Sequence, residues 1–162
     1  MIRVVLLCAV LIAPLSPAVA VDGDDGDLGF QTYLEGSKRI KCLYGYVASK
    51  TGNHAAAVKI YEDCIARWDD VYSYINLARL YEEGRGVPKD LRQAASLMQR
   101  GASQPEKDGY APLARYYWGV MLVEGKGVTA DRRKGEHWLQ QAASEGVGEA
   151  TDYLAGLPAY SQ

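Results

Sequence analysis

The chain is poor in the side chains that most enzymes use. It has two histidines, His54 and His137, three cysteines and a single phenylalanine among 162 residues. The histidines are too far apart in sequence to share a local motif. No serine or cysteine stands in a nucleophile signature, and no His/Cys/Asp/Glu cluster shows metal-ligand spacing. Excess positive charge is also missing. The formal charge is −2, whereas a nucleic-acid-binding face needs a concentrated basic patch. Beyond the first twenty residues no apolar run is long enough to cross a bilayer as a helix. These absences point to a non-enzymatic protein without metal or cofactor, with neither nucleic acid nor stable membrane insertion among its partners.

The beginning of the chain has the pattern of a secretory signal. Arg3 precedes an apolar run over residues 4–13, Pro14 and Pro17 interrupt it, and Ala18-Val19-Ala20 offers the small residues a signal peptidase accepts. Cleavage near Ala20 and a periplasmic or secreted location are therefore expected. Cys8 suggests a lipid anchor as a rival. Leu6 and Leu7 stand before it where small residues belong, so soluble export is the expectation. Only Cys42 and Cys64 then remain. In an oxidising compartment a disulfide is the default for such a pair, with two separate buried thiols as the alternative.

Residues 21–29 (VDGDDGDLG) are acidic, rich in glycine and without hydrophobic period. They fail as a calcium loop. Counting from Asp22, position 5 is Gly26, position 6 is Asp27 and position 12 is Tyr33, where an EF-hand needs an oxygen ligand, glycine and glutamate. A solvated acidic leader is expected. The remaining chain, 30–162, reads as one helical domain, with helices over 30–50, 54–68, 71–83, 90–102, 110–124, 131–145 and 148–157.

Internal repetition sets the architecture. Residues 80–90 (LYEEGRGVPKD) align with 121–131 (MLVEGKGVTAD). Gly84, Gly86, Val87 and Asp90 recur 41 residues later as Gly125, Gly127, Val128 and Asp131. A second series places a small residue after a large one at Tyr44-Gly45, Leu77-Ala78, Trp118-Gly119 and Leu154-Ala155. There it allows two helices of a hairpin to approach closely. Gly-x-Gly-Val suits a helix end that needs positive φ, and Asp90 and Asp131 stand where the next helix needs an N-cap.

These motifs resemble Sel1-like repeats, a subfamily of tetratricopeptide-like repeats. Two full copies span about 73–143, and a third begins at Ala150 and stops after one helix. The first hairpin is more similar to an ordinary tetratricopeptide repeat. Gly45, Ala57, Tyr61 and Cys64 fall at that motif's packing positions, and residues 51–54 form a short turn. The resemblance implies an all-α, right-handed solenoid of about three hairpins with a closing C-terminal helix. It also supports a Cys42–Cys64 bridge between paired helices, as in secreted cysteine-rich relatives. Concave positions carried over from the family are Arg39, Leu43 and Tyr46 in the first hairpin. The second supplies Tyr72, Asn76 and Arg79, and the third Leu113, Tyr116, Tyr117 and Val120.

Tyrosine and arginine dominate protein interfaces because they combine contact area with a polar handle. The expected function is thus a periplasmic adaptor holding a protein partner in a short concave groove. Resemblance alone adds a narrower version, an immunity protein that neutralises a secreted lipase-type toxin. A cell-wall or β-lactam hydrolase and a purely structural envelope subunit complete the alternatives. One departure stands out: residues 103–110 form a longer loop than their counterpart after Ala143, either as drift or to make a contact.

Overall fold

The computed structural model describes residues 40–105 and 109–159. The expected signal peptide, the acidic leader, Arg39 and the 30–39 part of the first helix lie outside the described residues. The described residues form seven helices: α1 Lys41–Lys50, α2 His54–Trp68, α3 Val71–Glu83, α4 Leu91–Ala102, α5 Ala111–Glu124, α6 Arg132–Ser144 and α7 Gly148–Gly156. Helices α1/α2, α3/α4 and α5/α6 pair as hairpins, and α7 packs on α6. Apart from the start of α1, which begins at Lys41 with Ile40 in a turn, the described boundaries fall within one residue of the expected ones.

Local chemistry explains where the helices begin. Side chains of Asn53, Asp70, Asp90 and Asp131 each accept from a backbone N–H in the first turn that follows, at 2.9–3.1 Å. These bonds satisfy amides that have no partner inside their own helix. Helices α3 and α5 end at left-handed glycines, Gly84 (φ 72°) and Gly125 (φ 69°). The turn bonds then repeat with the sequence: Arg85 N–H donates to Leu80 O and Asp90 N–H to Tyr81 O. Forty-one residues later, Lys126 N–H donates to Met121 O and Asp131 N–H to Leu122 O.

The second glycine of each turn sets the stacking. An added Cβ at Gly86 would lie 2.7 Å from the backbone of His54, the first residue of α2. At Gly127 it would lie 1.9 Å from the carbonyl oxygen of Leu91, the first residue of α4. Each turn thus rests on the start of the preceding hairpin's second helix.

Small residues bring paired helices together as the sequence predicts. Gly45 lies against the Tyr61 ring, Ala78 is fully buried, and Gly119 faces Gly135 and Leu139. Ala155, at the equivalent place in α7, is exposed because no further helix follows it among the described residues. The main core contains Ile60, Tyr61, Val71, Tyr74, Leu77 and Met98. A smaller cluster of Leu139, Ala142 and Ala150 closes the C-terminal end with Tyr116, Val120 and Tyr153 against it.

Cys42 on α1 and Cys64 on α2 are joined by a disulfide, with Cα atoms 5.9 Å apart and a sequence separation of 22. Both are buried. Closing a loop of this size removes unfolded-state entropy worth about 3 kcal/mol. Replacing both cysteines with alanine, or reducing the bridge, should lower stability by about that amount. Urea denaturation with and without reductant measures it, and an unchanged midpoint would refute the stabilising role.

Candidate functional site

The first helix of each hairpin presents one face to a common surface. On α1 the spacing Leu43, Tyr46, Lys50 keeps three side chains together, and on α3 Tyr72, Asn76, Arg79 and Glu83 do the same. On α5 the face carries Leu113, Tyr116, Tyr117 and Val120.

The site is apolar at one end. Among the described residues the exposed large hydrophobic side chains are Ile40, Leu43, Tyr46 and Tyr110, each between 45% and 58% accessible. Ile40, Leu43 and Tyr110 border a cleft of about 390 Å³ that Tyr72, Asp70 and Gly109 complete. Tyr110 packs on Tyr72 with ring centroids 5.1 Å apart, and Tyr72 meets buried Tyr61 edge-on at 6.3 Å. Burial, then the neighbouring Tyr110, Tyr46 and Asp70, push the Tyr72 phenol up to about 12. It therefore remains a neutral hydroxyl at physiological pH.

Toward the other ends of α1 and α3 the surface becomes cationic. Arg79 lies over the Tyr117 ring at 5.0 Å and donates to its hydroxyl. Lys50 lies over Tyr46 at 5.2 Å. Nearby charges are already paired: Lys126 with Glu82 at 2.8 Å and Arg85 with Glu83 at 3.0 Å. Arg79 and Lys50 have no carboxylate partner among the described residues. Both line a shallow groove of about 130 Å³ with Tyr46, Asn76 and Glu83.

Across α5 and α7 the character changes again. Tyr116 contacts Tyr117 at 5.1 Å and Tyr153 at 6.4 Å. Tyr153 donates to Glu124 at 3.1 Å. Burial first, and then hydrogen bonding to that carboxylate, push Tyr153 up to about 12. Burial also raises Tyr116, aided by Tyr117, Glu149 and Glu124.

The predicted contact residues thus divide by environment. Leu43, Tyr46 and Arg79 are exposed, while Tyr72, Tyr116 and Tyr117 are half-buried with one side in ring contacts. Asn76 uses its amide to donate to the Tyr72 carbonyl at 2.7 Å. Ile40, Lys50 and Tyr110 escaped the sequence reading. Tyr110 had a signal, an aromatic closing the long 103–110 loop, but its meeting with Tyr72 needs the tertiary fold.

The start of that loop is held by a buried arginine. Arg115 is 4% exposed and donates to the carbonyls of Ala102 and Gln104 at 3.2 and 2.9 Å and to Glu145 at 2.5 Å. His54 and His137 lie on different helices, and His137 packs beside Trp138. No group of three His, Cys, Asp or Glu side chains among the described residues could hold a metal ion. No helix among them is long and apolar enough to cross a membrane.

Comparison with known proteins agrees with this architecture. The Sel1 repeat model matches residues 71–105 and 112–147, the α3/α4 and α5/α6 hairpins with their turns. Among solved structures, a Sel1 repeat protein from Oxalobacter formigenes superposes with a TM-score of 0.64 at 21% identity. The match covers 80% of this chain and 97% of that one. No curated protein matches the sequence. Two hairpins of this all-α fold thus match the Sel1 repeat, a framework that implies a scaffold for protein–protein interaction.

Proposed function

With two Sel1 repeats as its frame, we propose that this chain is an exported periplasmic scaffold. It binds a protein partner across the faces of α1, α3 and α5. The observation that carries the reading is the clustering of Ile40, Leu43 and Tyr110 around one cleft, beside a surface that ends in Arg79 and Tyr117. Scattered exposed apolar side chains need no explanation, whereas a contiguous group rimmed by charge marks an interaction surface. Export rests on the signal-like segment over residues 3–20 and on the buried disulfide.

Affinity capture with the protein from periplasmic and envelope extracts tests the reading. Arg79→Glu should reduce recovery of a specific partner about tenfold, because charge reversal opposes both steering and contact. Leu43→Asp should reduce it at least as much, while circular dichroism of both variants stays unchanged. A partner retained equally by both variants would remove the interaction from this face. The partner's identity then separates the narrower roles: a secreted effector indicates immunity, and an envelope protein indicates an adaptor.

A further inference from the structure

The proposed binding face has two chemically different ends, and their separation specifies what it recognises. On α1, Leu43 at the apolar cleft and Lys50 at the cationic groove are seven residues apart. On α3, Tyr72 and Arg79 have the same spacing. At 1.5 Å rise per residue, both helices place the two ends about 10 Å apart along their axes. An extended segment in the polyproline II conformation advances about 3.1 Å per residue and returns a side chain to the same edge every third residue, so side chains three positions apart match that distance on one face. The groove beside Arg79, about 130 Å³ in volume, is too small to seat a helix, whose diameter is about 10 Å with side chains.

Resting on the concave-face reading above, we infer that the partner contributes an extended segment in which a large apolar residue and an aspartate or glutamate stand three positions apart. The apolar side chain enters the cleft between Leu43, Tyr72 and Tyr110. The carboxylate meets Arg79 and Lys50, whose charges no described carboxylate neutralises. Arg79 is preorganised for this. Its guanidinium is held on the Tyr117 ring and hydroxyl, and its remaining N–H groups are available to an incoming acceptor. The apolar cleft beside the cations favours a protein segment over a simple anion, which would gain nothing from it.

The test is selection of a phage-displayed library of random peptides on the full chain, followed by binding measurements with synthetic copies of the enriched sequences. Enriched peptides should pair a large apolar residue with Asp or Glu at a spacing of three. Their Kd should rise about tenfold or more with Arg79→Glu, and by a smaller factor with Lys50→Glu. Replacing the peptide's acid by lysine should restore binding to the Arg79→Glu variant, and added salt should weaken the wild-type complex. Enriched peptides that lack the acidic position but lose affinity with Leu43→Asp would overturn this inference and leave the concave-face reading standing. Peptides indifferent to Leu43→Asp, Tyr72→Ala and Arg79→Glu would overturn both. Absence of any enrichment would overturn the inference alone, with the capture experiment deciding the broader reading.

Discussion

Gly127→Ala should cost about 4 kcal/mol or more of folding stability, a large share of the 5–15 kcal/mol typical of a domain. Two effects add. The residue has φ 72°, and an L side chain in this region costs about 1–2 kcal/mol. The new Cβ would also lie 1.9 Å from the Leu91 carbonyl oxygen, and backbone cannot rotate away as a side chain can. Relieving that overlap separates the two hairpins, and comparable overpacking costs about 1–3 kcal/mol or more. Gly52→Ala provides the control. Its φ is 89° and nothing lies within 4 Å of the added atom, so it should lose only the conformational part. Chemical denaturation of both variants separates strain from contact, and equal losses would show that the turn does not bear on the neighbouring helix.

Arg115→Leu should remove about 3–5 kcal/mol, the usual cost of breaking a buried ion pair by deleting one partner. The substitution leaves Glu145, whose side chain is only 14% accessible, without its cation. It also releases the Ala102 and Gln104 carbonyls. Arg115→Leu combined with Glu145→Leu should recover part of the loss, because the uncompensated carboxylate goes with it. A double variant no more stable than the single one would mean that the carbonyl contacts, rather than the pair, dominate. Since Arg115 fixes the start of the 103–110 loop and Tyr110 closes it, the single variant should also weaken partner capture beyond what the loss of folded protein explains.

Much of the architecture is legible because it depends on local chemistry. Gly84, Gly86, Gly125 and Gly127 announce the turns, Asp90 and Asp131 announce the following helices, and their 41-residue shift announces the stacking. The binding face is less legible because exposure is a tertiary property. No motif singles out Arg115, yet it is buried among carbonyls contributed by the preceding helix and loop. Lys41 is likewise buried, paired with Asp63 and close to the Trp68 ring. Asn76 reads as a free polar contact but turns its amide onto its own helix. The meeting of Tyr110 with Tyr72 joins two hairpins through a loop whose length, but not path, can be read in advance.

The turn-on-helix contact also makes the array extensible from within. Leu91 receives the Gly127 turn, and 41 residues later the equivalent position is Arg132, which donates instead to the Pro158 carbonyl. The side chain at the equivalent landing position is thus engaged with the chain's own last described stretch. A duplicated 41-residue unit inserted between the existing turns would find a landing place below and offer one above. The same unit appended after Pro158 would first have to displace that contact. Internal duplication thus repeats a backbone contact already made twice, at His54 and at Leu91.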